Sequence, residues 1–76
     1  MDIKVYSTPT CPYCHHVKDF LKENNFEFED IDVSKDQEAG RHMVEKTGQM
    51  GVPVVEINGD FIIGFNKAKI KEKLDL

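Results

Sequence analysis

Hydrophobic and polar positions change period several times along the chain, and each change marks an element. Ile3 to Tyr6 alternates, with Lys4 between two apolar residues, which predicts a short strand. Ser7-Thr8-Pro9-Thr10 reads as a loop, because Pro9 has no N–H to give to a ladder. Thr10 can cap a helix, and Pro12 fits its first turn, where no N–H is needed. Val17, Phe20 and Leu21 then recur at helical spacing until Asn24-Asn25. Phe26 to Val33, rich in aromatic and β-branched residues, predicts a second strand. Ser34 with Gln37 matches a capping box that opens a helix through Met43 and Val44 to Lys46, weakened by Gly40 and ended by Gly48. Val54 to Ile57 and Asp60 to Ile63 flank Asn58-Gly59, the pattern of a hairpin closed by a type I′ turn. Gly64 ends the hairpin, and Asn66 can cap a last helix carrying Ala68, Ile70 and Leu74.

The predicted order β–α–β–α–β–β–α describes an α/β domain with a four-stranded mixed sheet flanked by three helices. Strands joined through a helix pair in parallel, so the first half forms a β–α–β unit and the hairpin adds two antiparallel strands. The 76 residues suffice for one domain, 1–76, near the lower limit for folding without cross-links. Ile3, Val5, Val17, Phe20, Leu21, Phe26, Phe28, Val44, Val54, Val55, Ile57, Phe61 and Ile70 are the candidate core.

The net charge of −4 argues against nucleic acid and an anionic membrane surface as partners. No signal-peptide pattern occurs, and no apolar run is long enough to span a bilayer. The expectation is a cytoplasmic monomer with reduced thiols. Acidic residues crowd one segment (Glu27, Glu29, Asp30, Asp32, Asp36, Glu38), and Lys67, Lys69, Lys71 and Lys73 crowd the C-terminus. Such runs are ordinarily solvated faces, though a dipolar surface can also orient a protein partner.

The chemistry is concentrated in Cys11-Pro12-Tyr13-Cys14, which holds both cysteines of the chain. A dithiol at this spacing can close a small-ring disulfide and reopen it. A helix starting at Cys11 sets that sulfur against unpaired backbone N–H groups and the positive end of the helix dipole, an arrangement that favours an anion. The thiolate is the attacking form, so the pair suits thiol–disulfide exchange, with one cysteine attacking and the other resolving. An inert staple between residues this close would constrain almost nothing. A structural zinc site needs four ligands, usually in two separated pairs. His15 and His16 follow the dithiol, but they point in different directions on a helix, and His42 stands alone.

In these residues the chain resembles the glutaredoxins of the thioredoxin superfamily, over essentially its whole length. Cys-Pro-Tyr-Cys is their characteristic dithiol sequence. Val52-Pro53 before the third strand and Gly64 after the fourth also match. The resemblance implies a thioredoxin fold, a cis Val52–Pro53 bond facing the dithiol, and Cys11 and Cys14 as catalytic residues. It implies a protein disulfide oxidoreductase with no tightly bound cofactor, with glutathione as reductant and with glutathione mixed disulfides and disulfide-bearing proteins as substrates. Tyr13, Val52, Pro53, Gly64 and Asn66 fit the family's glutathione- and substrate-binding groove.

Three features depart from the family pattern. Thr8 stands where a basic residue is common, and Gly51 where a threonine usually precedes Val-Pro. The usual Gly-Gly-x-Asp stretch reads Ile63-Gly64-Phe65-Asn66, followed by Lys67. Gly64-Phe65 also resembles the glutaredoxin-like electron donors of ribonucleotide reductase, which are closer to thioredoxin in their reductant and so imply a reductase as partner. Another class of function within the family is an iron–sulfur or metal carrier using Cys11, which Pro12 disfavours. No metal site is expected. Lys18, one turn after Cys14, can help hold a thiolate or simply be solvated. His15 and His16 are candidate proton shuttles or exposed helical residues. Phe65 is a candidate lid over the groove or an anchor for the last helix, and Met43 and Met50 read as gap fillers.

Overall fold

A computed structural model describes residues 2–76; Met1, the first residue of the expected domain, lies outside them. The elements follow the predicted order: β1 (Ile3–Ser7), α1 (Pro12–Glu23), β2 (Glu29–Asp32), α2 (Gln37–Thr47), β3 (Val54–Ile57), β4 (Asp60–Ile63) and α3 (Lys67–Leu74). The strands form one sheet in the order β2-β1-β3-β4. β1 pairs parallel to β2 and antiparallel to β3, and β3 pairs antiparallel to β4, so the sheet is mixed, as expected.

Side-chain alternation along each strand divides the core between the two faces of the sheet. Ile3, Val5, Val55, Ile57 and Ile62 point to one face, where Val17, Phe20 and Leu21 of α1 and Ile70 and Leu74 of α3 cover them. Tyr6 and Val54 point to the other, under Met43 of α2 with Ala39, Val44 and Phe61 alongside. Burying each of the larger side chains, Leu21, Ile57 and Ile70 among them, contributes roughly 1.5–3 kcal/mol.

Several local expectations need correction. Cys11, not Thr10, caps α1: its backbone is extended and its sulfur accepts from the Cys14 N–H. β2 is only Glu29–Asp32, because Phe26 and Phe28 turn onto the edge of the core before pairing begins. Asp36, not Ser34, caps α2 by accepting from the Ala39 N–H at 3.0 Å, while Ser34 is drawn to the Asp32 carboxylate. Phe26, Phe28, Val44 and Phe61 are half-buried rather than central, and Tyr6, Met43, Ile62 and Leu74 are core residues that the expected set lacked.

Other expectations hold. Gly48 ends α2 in the left-handed region, and its N–H reaches the Val44 carbonyl at 2.7 Å. Asn58 and Gly59 both have positive φ, 50° and 92°, as the type I′ turn requires. Asn66 caps α3 through the Lys69 N–H.

Candidate functional site

β1 ends at the buried Ser7, and the chain crosses Thr8–Thr10 to enter α1 at Pro12. This connection sets the two cysteines at the C-terminal end of β1. The Cys11 N–H donates to the Thr8 carbonyl at 3.3 Å, which fixes the entry. The Cys11 sulfur is half-buried and lies 3.2 Å from the Cys14 nitrogen; as a thiol it donates to the Val52 carbonyl at 3.8 Å. Cys14, one turn into the helix, is fully buried, and both sulfurs are free. Burial pushes the Cys14 thiol up to about 11, and the hydrogen bond to the Cys11 sulfur works in the same direction. The Thr8 backbone N–H and the Lys18 ammonium oppose them.

The Val52–Pro53 bond is cis, as the family resemblance implies, and Pro53 is buried beside the half-buried Val52. Gly64 has φ 75°, a conformation that suits glycine, and its N–H donates to the Pro53 carbonyl at 2.8 Å. β4 is thereby tied to the cis-proline segment. Tyr13 is 65% exposed beside the dithiol. Asn66 is exposed, with its side-chain oxygen committed to the α3 cap. The structure therefore gathers Cys11, Cys14, Val52, Pro53 and Gly64 by direct contacts, with Tyr13 on the first turn of α1. It does not bring His15 or His16 onto the sulfurs. The His15 ring nitrogen lies 3.3 Å from the Pro9 carbonyl, and His16 stacks on Phe65 at 6.4 Å between ring centres. Phe65 also packs edge-on against Phe20, so it anchors α3 to α1 rather than standing free as a lid. Among the described residues, no cluster of three or more His, Cys, Asp or Glu side chains converges on a common point.

Two features of the site were not anticipated. Gln49 closes on Gly51 with both ends of its amide: Nε2 donates to the Gly51 carbonyl at 3.1 Å, and Oε1 accepts the Gly51 N–H at 2.7 Å. A Cβ at Gly51 would sit 2.6 Å from that Oε1, so glycine here and the Gln49 clamp belong together. The only trace in the sequence is an amide side chain two residues before a glycine, the spacing of a side-chain-mimicked turn. The second feature is an ion pair between Lys18 and Asp30 at 2.9 Å, with the Ser7 hydroxyl donating to the other Asp30 oxygen at 3.0 Å. Asp30 was concealed within the acidic segment.

A mixed four-stranded sheet with helices on both faces, and a Cys-x-x-Cys dithiol at a helix start facing a cis-proline, defines a thiol-redox protein of the thioredoxin fold. The chain matches the family model described as Glutaredoxin over residues 3–62, and it belongs to the glutaredoxin family. It is 45% identical to an uncharacterised glutaredoxin-like 8.6 kDa protein in the rubredoxin operon of Clostridium pasteurianum, over 96% of this chain and 97% of that protein. It is 40% identical to the N-acetyl-S-hydroxy-L-cysteine reductase of Bacillus subtilis, over 100% of this chain and 82% of that one. The solved glutaredoxin-like NrdH-redoxin of Escherichia coli, described as having a thioredoxin-like activity profile, superposes with a TM-score of 0.83 at 29% identity, covering 95% of this chain and 93% of that one.

Proposed function

We propose that the chain is a dithiol oxidoreductase that reduces protein disulfides and glutathione mixed disulfides in the cytoplasm, with Cys11 attacking and Cys14 resolving. The observation that carries this reading is the half-buried Cys11 sulfur at the N-cap of α1, backed by the buried Cys14 and set against the Val52 carbonyl. The Cys11 thiolate attacks one sulfur of the substrate disulfide; the other sulfur leaves with the bonding pair and takes up a proton. Cys14 then loses its proton and attacks the Cys11 sulfur. The bond from Cys11 to the substrate breaks, the second substrate thiol leaves, and the protein is left with a Cys11–Cys14 disulfide. Two electrons have passed from the dithiol to the substrate.

Glutathione is the proposed reductant, used less efficiently than by a glutaredoxin carrying all the usual groove residues. Several polar handles of the expected groove are engaged within the protein. The Gly64 N–H is on Pro53, the Asn66 oxygen caps α3, and both backbone groups of Gly51 are held by Gln49. Thr8 supplies no cation. Each missing charge-assisted hydrogen bond to a peptide carboxylate costs about 1.5–3 kcal/mol, or roughly ten- to a hundredfold in affinity.

The same engaged handles favour a second reading, in which a thioredoxin-reductase-type enzyme serves the protein as an electron donor. The experiment is side-by-side turnover of the oxidised protein with glutathione and its reductase, and with NADPH and thioredoxin reductase. The expected result is measurable but slow turnover with glutathione. Turnover with thioredoxin reductase alone would establish the second reading, and no turnover with either would sink both.

A further inference from the structure

We propose that Lys18, anchored by Asp30 and the buried Ser7 hydroxyl, is a positioning residue for the resolving sulfur of Cys14. The inference rests on the oxidoreductase reading and adds to it a residue that acts on the second step alone.

The geometry begins in the sheet. Val5 pairs with Asp30 in the parallel register of β1 and β2 and is buried under α1. Ser7 lies two residues beyond Val5, on the same face, so Ser7 and Asp30 both project toward α1. On α1, Lys18 follows Cys14 by four residues and shares its face. The Lys18 side chain is only 14% exposed and lines a surface hollow with Phe26, Phe28 and Asp30. Asp30 receives the ammonium on one oxygen at 2.9 Å and the Ser7 hydroxyl on the other at 3.0 Å. A lysine free to follow solvent would not be held this far in, on the face of α1 that also carries Cys14.

An ion pair with one half-exposed member adds little to stability, so holding α1 to β2 is a weak reason for the arrangement. The resolving step supplies a stronger one. Cys14 is completely buried and must shed its proton before it can attack. The Cys11 sulfur helps to hold its proton on, and the Lys18 ammonium, paired with Asp30, favours its loss. In the mixed disulfide Cys11 carries no charge. The Lys18 ammonium is then the one of these side chains that favours the Cys14 thiolate, and Asp30 keeps its flexible stem from relaxing into water.

The test uses the reduced full chain and a symmetrical nitroaromatic disulfide that releases a coloured thiolate, followed by stopped flow. The first release reports attack by Cys11, and the second reports resolution by Cys14. Lys18→Gln is expected to leave the first phase unchanged, to slow the second about three- to tenfold, and to move its pH midpoint upward. Lys18→Arg is expected to restore both the rate and the midpoint, and Asp30→Asn to slow the second phase by a smaller factor. A second phase in Lys18→Gln that matches the parent in rate and pH profile overturns the proposal. Equal slowing of both phases also overturns it, since that is how a loosened helix would behave. An unchanged second phase in Asp30→Asn removes the anchoring role of Asp30 and Ser7. A parent protein with no first phase would instead refute the oxidoreductase reading, and this inference with it.

Discussion

The Cys14 amide donates to the Cys11 sulfur across 3.2 Å, so the sulfur proposed to attack is also the cap of its own helix. The two roles separate by substitution. Cys11→Ser keeps an oxygen acceptor at the N-cap and should fold as stably as the parent, while losing all disulfide exchange. Cys11→Ala loses the acceptor as well and should be less stable than Cys11→Ser by about 1 kcal/mol. Urea unfolding beside an insulin-type reduction assay reads both effects; an active Cys11→Ser protein would refute the assignment of Cys11.

Stability of the reduced protein should fall in alkali. An ordinary thiol titrates near 9.0, and burial, with the hydrogen bond to Cys11, pushes Cys14 up to about 11. Between those values the unfolded chain binds fewer protons than the folded one, so stability decreases as pH rises; below 9.0 the contribution is fully present. Tyr6 adds the same sign at higher pH, because burial and the Glu56 carboxylate, 2.8 Å from its hydroxyl, raise it above its ordinary 10.0. Urea midpoints across this window should fall for the parent and fall less steeply for Cys14→Ala. A flat parent profile would contradict the burial account.

A threonine at position 51 should gain little while Gln49 is present. Its Cβ would meet Gln49 Oε1 at 2.6 Å, so the flexible Gln49 side chain swings aside and gives up its clamp on the loop that leads to Pro53. Gly51→Thr alone should therefore leave kcat/KM with a glutathionylated peptide near the parent's, because the displaced amide stays beside the new hydroxyl and competes for its hydrogen bond. Gln49→Ala combined with Gly51→Thr should raise it above the parent by about two- to tenfold, the worth of one recovered hydrogen bond. Equal gains in the single and double variants would show that Gln49 is no obstacle.

Asn66 is placed as a cap. Asn66→Ala should cost about 1 kcal/mol of stability by orphaning the Lys69 N–H. Asn66→Asp should recover it, since a carboxylate accepts the same bond and suits the positive end of α3. Thermal or urea unfolding of the three proteins is the check, and indifference to the alanine would remove the cap from this account.

Much of this architecture is legible in the residues. Asn58-Gly59 announces its turn because few dipeptides accept two consecutive positive φ values, and Cys-Pro-Tyr-Cys with Val-Pro announces the site by family resemblance. The misreadings have local causes. Thr10 and Ser34 are good caps by residue type, but the cap is decided by where the chain turns extended, and that fell to Cys11 and Asp36. Tyr6 was absent from the expected core and Met43 was read only as a gap filler, because neither a phenol nor a flexible thioether marks a core position by itself. Tyr6 is admitted because Glu56 receives its proton, and Met43 because α2 covers the second sheet face. The Lys18–Asp30 pair and the Gln49 clamp join residues whose meeting depends on strand register or loop path, which one-dimensional spacing does not encode.

The place of β2 at the outside of the sheet has a further consequence. Among the described residues no strand neighbours one side of its backbone, the form in which sheets recruit strands from other molecules. β2 is only four residues long and reads Glu29-Asp30-Ile31-Asp32, so a second copy laid beside it would bring carboxylates against carboxylates. Ser34 bonds to Asp32 and holds that carboxyl below its usual range, so part of the repulsion survives into acid. The acidic segment thus serves as a guard against polymerisation. Exchanging its charged residues for valine or threonine would turn the strand that completes this sheet into a template for the next.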